Sequence, residues 1–146
     1  IKSLYDYIVI DTPPALGVLT INAFTFADEI IIPTTPGIFS ATGIKQLYET
    51  IQSVRTYCND KVKIAGILIT RFDSRINNHK DMKELTEQLG QYIHTKVYKT
   101  YIRNSVVIEE AQVRQVDIYS YKENSTVAQD YRAFVDEYLK GDSLNG

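Results

Sequence analysis

The chain has 146 residues, 44% of them apolar and 23% charged, with a formal net charge of −2. That length can bury a real core, and the balance excludes a disordered chain. The near-neutral charge excludes the global basic field of a dedicated nucleic-acid binder, so any such contact has to come from a local patch. The single Cys58 excludes an intrachain disulfide and fits a reducing, cytoplasmic setting. No run of about 18 apolar residues reads as a membrane span, and nothing reads as a signal peptide.

The first run is Tyr7-Ile8-Val9-Ile10-Asp11. It is too continuously apolar for a sheet with one wet face and is predicted to be a strand covered on both sides. It ends in a carboxylate and breaks at Pro13, Pro14 and Gly17. Open α/β sheets bind ligands at the carboxyl ends of such strands; the plainer role for Asp11 is a strand cap or turn starter. A short helix over residues 18–27 follows, with Thr20 or a near neighbour as its cap. A second buried strand, Ile30-Ile31-Ile32-Pro33, comes next, its ladder weakened at the proline. Apolar spacing at Ile44, Leu47, Tyr48, Ile51, Val54 and Cys58 predicts a helix over residues 39–58. Residues 64–70 form a third buried strand that opens into the polar loop Arg71-Phe72-Asp73-Ser74-Arg75. Met82, Leu85, Leu89 and Ile93 mark another helix, and residues 97–102 a fourth strand near a sheet edge. A short helix is expected over residues 107–112. The last helix is expected over residues 126–140, capped by Ser125. Strands alternating with helices predict βαβ units and a mostly parallel sheet with helices on both faces, in one domain over residues 1–140 with a flexible tail over 141–146.

The residues offer no metal cluster. His79 and His94 stand fifteen apart without partners at ligand spacing and are read as surface residues. Cys58 is read as a packed thiol. There is no Gly-x-Ser-x-Gly nucleophile elbow, and the seven glycines form neither a Gly-x-x-x-x-Gly-Lys-Ser/Thr cradle nor Gly-x-Gly-x-x-Gly.

The stretch Asp-Thr-Pro-Pro-Ala-Leu-Gly-Val-Leu-Thr-Ile-Asn-Ala (11–23) resembles the Walker B and switch II region of ParA/Soj-type partition ATPases. The likeness continues through Ala27-Asp28-Glu29-Ile30-Ile31-Ile32-Pro33, Ala41-Thr42-Gly43-Ile44-Lys45-Gln46-Leu47 and Gly66-Ile67-Leu68-Ile69-Thr70-Arg71-Phe72-Asp73-Ser74-Arg75, and returns at Val97-Tyr98-Lys99-Thr100-Tyr101-Ile102. It covers almost the whole chain in family order. It implies a P-loop NTPase-like three-layer α/β fold that binds ATP and Mg²⁺, dimerises around two nucleotides, binds DNA non-specifically as a dimer, and is stimulated by a centromere-binding, ParB-like partner in the nucleoid-bearing bacterial cytoplasm. Carried over by position, Asp11 holds the Mg²⁺ shell through water, and Thr12, Pro13, Pro14 and Gly17 belong to switch II. Thr70, Arg71, Asp73, Ile102, Arg103 and Asn104 flank the nucleotide. Residues 34–39 and 106–112 lie near the dimer face, and Arg75, Lys80, Arg103 and Arg114 are the DNA candidates.

Two departures stand beside the likeness. The family's Walker A loop, with its lysine, and its switch I aspartate are not among these residues. The chain opens at Ile1 rather than Met and enters an apolar run almost at once, as expected of a portion of a longer protein. By itself it is expected to be catalytically inactive, because positioning and electrostatic stabilisation of the phosphates supply most phosphoryl-transfer catalysis. The alternative is an ATPase-like module that binds DNA or protein without catalysis. Residues 102–112 also lack the family's proline and carry Val107 at a usually basic position. In this fold class the Walker A strand lies beside the strand that ends at Asp11. Without it, two apolar edges face water and are expected to pair with another copy or swap elements.

Overall fold

The computed structural model describes residues 2–37 and 40–142, with the side chains of Lys2, Asn77, Asn78, Lys80 and Asp142 outside that description. Strands β1 (Glu29–Thr34) and β2 (Lys63–Ile69) pair in parallel, with a register shift between Ile30 and Ile31. Among the described residues six helices accompany them: α1 (Val18–Phe26), α2 (Ser40–Tyr57), α3 (Asn77–Tyr92), α4 (Val106–Val113), α5 (Ile118–Lys122) and α6 (Thr126–Asp142), with a 3₁₀ turn over Lys2–Leu4.

The two-residue period of β1 divides the core. Ile30 and Ile32 join Ile67 in a cluster with Phe24 of α1 and Ile44, Ile51 and Val54 of α2. Ile31 packs with Leu68 in a second cluster that holds Tyr98, Ile102 and Val127, backed by Val107, Ile118, Tyr131 and Phe134. Helices therefore cover both sheet faces, the three-layer arrangement expected from the alternation of elements. The close packing is clearest at Gly66, where an added Cβ would lie 2.6 Å from the ring of fully buried Tyr98. Among the described residues no helix is long and apolar enough to cross a membrane.

Several expectations are corrected. Residues 7–11 form no strand: Tyr7, Ile8, Val9 and Ile10 are 60, 51, 92 and 49% exposed. An apolar run becomes a strand only where neighbours take its N–H and C=O groups, and no described residue does so. The cap of α1 falls at a near neighbour of Thr20 and not at Thr20 itself. Thr20 lies in the first turn, buried, and its hydroxyl donates to Ala15 O at 2.7 Å, while Gly17 is the cap. Cys58 is exposed, because α2 ends at Tyr57 and the turn, in which Asn59 N–H donates to Val54 O, takes Cys58 off the buried face. Asn59 itself closes α1, its amide donating to the carbonyls of Phe24, Thr25 and Ala27.

The fourth strand is reduced to isolated parallel bridges, Ile67 with Val97 and Phe72 with Arg103, between which five steps along one side face six along the other. The one-residue surplus breaks the ladder. Helix α6 begins where expected, with Ser125 Oγ accepting from Ala128 N–H, and runs on to Asp142; the rest of the tail, residues 143–146, lies outside the described residues.

Candidate functional site

The carboxyl ends of β1 and β2 are locked together at Thr70, whose N–H and hydroxyl both donate to Thr34 O, at 2.7 and 3.2 Å. Arg71 then takes a left-handed backbone, φ 53°, a conformation that costs a side-chain-bearing residue roughly 1–2 kcal/mol. That turn sends Phe72 inward and seats it on residues 102–104 in the second of the two bridges. Phe72 N–H donates to Ile102 O and Asn104 N–H to Phe72 O, each at 3.0 Å. The buried Phe72 ring rests on Tyr101, with centroids 4.4 Å apart, and meets His79 of α3 at 5.9 Å. Residues 70–73 and 102–104 thus form one rim.

Side chains fix that rim. Asp73 N–H donates to His79 Nδ1 at 3.0 Å, which makes this imidazole nitrogen the unprotonated one. The Asp73 carboxylate accepts from Arg75 N–H and Nε at 3.0 Å and from Nη2 at 2.7 Å. These hydrogen bonds from the Arg75 side chain and backbone lower the Asp73 pKa from 3.8 to about 2. A depressed carboxylate pKa means the contact is complete above about pH 4 and is lost as pH falls through 2. The expected carboxyl-carbon NMR titration of Asp73 therefore has its midpoint near 2, and Arg75→Ala moves it up toward the ordinary aspartate value. An unmoved midpoint would show that Arg75 does not set it.

On the far side, Asp130 of α6, 9% exposed, accepts from Arg103 Nε at 2.9 Å, Nη2 at 2.6 Å and backbone N–H at 3.1 Å. The pairing raises the Arg103 pKa. Two turns on, the Glu137 carboxylate accepts the N–H groups of Lys99 and Thr100, both at 2.8 Å. Burial pushes the Glu137 pKa up, but those N–H groups together with the Thr100 side chain and the Lys96 charge leave it lowered.

Asp11 stands apart. It is exposed, lies in unpaired chain, and makes no hydrogen bond with the described residues. Pro13, Pro14 and Gly17 are exposed as well, and the far end of that loop is held by Gly17 N–H on Ala15 O. No group of three His, Cys, Asp or Glu among the described residues makes a metal cage. A lone exposed carboxylate does suit Mg²⁺, which keeps several waters and takes one or two carboxylates plus phosphate oxygens.

An "AAA domain" family profile matches residues 1–64. The sporulation initiation inhibitor protein Soj of Bacillus subtilis is 37% identical over 131 residues, covering 90% of this chain and 51% of that protein. The chromosome-partitioning ATPase Soj of Treponema pallidum is 33% identical over 142 residues, 97% of this chain and 55% of that one. The chain belongs to the ParA/Soj-type P-loop ATPase family. It spans about half the length of the curated relatives it matches.

Cobyrinic acid a,c-diamide synthase of Mycobacterium smegmatis superposes with a TM-score of 0.69 at 28% identity, over 89% of this chain and 45% of that one. Its form with bound ADP and magnesium gives 0.71 at 26%, over 93% and 47%. The fold class of this ParA/Soj-type chain is that of the P-loop NTPases.

Within this family frame, the structure brings Thr70, Arg71, Asp73, Ile102, Arg103 and Asn104 together and leaves residues 11–17 unconnected to them by any hydrogen bond among the described residues. Ile102 is 1% exposed inside the second core cluster, and its N–H and C=O are paired with Ile69 O and Phe72 N–H, so it shapes the rim from behind. The DNA candidates differ in their surroundings. Arg75 is 88% exposed at its side chain but paired with Asp73. Arg103 is held by Asp130, Arg114 lies over the Tyr121 ring, and the Lys80 side chain lies outside the description. His79, Asp130 and Glu137 are the residues that sequence reasoning missed.

Proposed function

We propose that this chain is the Walker B and base-side portion of a partition ATPase that binds ATP with Mg²⁺, dimerises on it and holds DNA non-specifically in the bacterial cytoplasm. Its release from DNA is stimulated by a ParB-like partner. The observation that carries the reading is the fused rim of residues 70–73 and 102–104 at the carboxyl end of the sheet, in a chain 33–37% identical to Soj proteins. That end of a parallel sheet is where α/β folds take nucleotides. In this reading Asp11 holds the Mg²⁺ shell, Thr12, Pro13, Pro14 and Gly17 form the loop that responds to the γ-phosphate, and Thr70, Arg71, Asp73 and Asn104 flank the base. Mg²⁺, when bound with the nucleotide, neutralises phosphate charge.

The 146 residues hold no Gly-x-x-x-x-Gly-Lys-Ser/Thr cradle. A loop of that kind separates the ATPase from the alternative reading, an ATPase-like module that binds DNA or protein without catalysis. A Lys-Gly-Gly-x-x-Lys-Thr/Ser loop in residues preceding Ile1 supports the ATPase and its absence supports the module.

The test is ATP-dependent DNA binding by the longer protein as salt is raised. Arg75 is the candidate cation with the greatest side-chain exposure among those in ion pairs. Arg75→Ala is expected to reduce the slope of log affinity against log salt by about 1 while sparing ATP affinity. An unchanged slope removes Arg75 from the DNA interface, and DNA binding indifferent to ATP sinks the reading as a whole.

A further inference from the structure

Helix α6 buries one face of Val127, Ala128, Tyr131 and Phe134, and Asp130 stands in the middle of it. Burying a carboxylate there is costly unless it is paired with good geometry, and an apolar residue would serve packing better. Asp130 is paired through a two-pronged contact to the Arg103 guanidinium and a third bond to Arg103 N–H, while Arg103 Nη2 also donates to Thr126 O at 3.3 Å. Such a fork fixes orientation as well as charge. Arg103 in turn forms the Phe72 bridge, so Asp130 sets the place of both halves of the rim.

We infer that Asp130 is a positioning residue: acting through Arg103, it holds residues 70–73 and 102–104 where a nucleotide base is read. The inference rests on the nucleotide reading above.

The test uses the longer protein, with fluorescent adenine and guanine nucleoside triphosphates as probes. Asp130→Asn keeps the shape and removes the charge. It is expected to weaken adenine-nucleotide binding about tenfold, the scale of one lost charge-assisted hydrogen bond, and to draw the adenine-to-guanine affinity ratio toward one. Adding Arg103→Ala is expected to change nothing further, because the two act as one unit. Backbone amide exchange is expected to speed up at Arg103 and Asn104 and to stay slow at Lys99 and Thr100, which hang on Glu137. If Asp130→Asn fails to fold, Arg103→Lys, which keeps charge but loses the fork, is expected to shift ratio and exchange the same way.

A base ratio unchanged in a variant whose parent discriminates, or additive effects of the two substitutions, overturns the inference and leaves the nucleotide reading intact. A parent that binds neither nucleotide overturns that reading and with it this inference.

Discussion

Replacing Asp11 with alanine in the longer protein is expected to lower Mg²⁺-dependent ATP turnover by roughly 10²–10³-fold, the scale at which single electrostatic contributors to a transition state are worth most. Asp11 is exposed and takes no hydrogen bond from the described residues, so within this chain its removal has little to break, and the melting temperature of the longer protein is measured beside turnover. A loss of turnover with an unchanged melting temperature is a loss of chemistry. Asp11→Asn, which keeps an oxygen but not the charge, is expected to fall nearly as far, since the role proposed is to hold a cation's water shell. The rim at residues 70–73 and 102–104 shares no hydrogen bond with Asp11 among the described residues, so base binding is expected to survive in both variants. Turnover at the parental rate removes Asp11 from the site.

What was legible in the sequence was what local spacing encodes. The stripe Ile44, Ile51 and Val54 is the buried face of α2, and the unbroken Ile30-Ile31-Ile32 run serves two cores at once. Residues 7–11 carry the same local signal as β1 and yet form no strand, because a strand also needs neighbours, which spacing does not report. The irregular course of residues 97–103 was hidden for a related reason. Its amides answer to Glu137 and Asp130, which lie 27 to 38 positions away. A usable signal did exist. Asp130 and Glu137 fall at three and ten positions after Val127, on the stripe that also holds Tyr131, Phe134 and Tyr138. A carboxylate on an apolar stripe asks for a partner. Short α5 was missed although Asp117 caps it by accepting from the N–H groups of Tyr119 and Ser120, a cap pattern readable at close range.

The 146-residue chain alone is expected to run in light scattering well above its 16.7 kDa mass, with a mass that rises with concentration. Val9 is 92% exposed in a run whose amides have no ladder partner, and α1 exposes Val18, Leu19 and Phe26 at 73, 67 and 72%. A helix apolar on nearly every side is one that other structure covers, and a large contiguous apolar surface beside unpaired backbone is a template for association. The outer edge of β1 adds to it, since β1 has only β2 as a ladder partner among the described residues. Val9→Lys places a charge on the extended run without touching either core cluster. It is expected to return the mass toward that of a single chain, because strand pairing across a desolvated lysine is unfavourable. Phe26→Ser, at the end of α1, is expected to act in the same direction and to add to it. A single chain mass for the unaltered chain across the accessible concentration range would show that this surface is satisfied within the chain. An assembly unmoved by Val9→Lys would place the contact on another face.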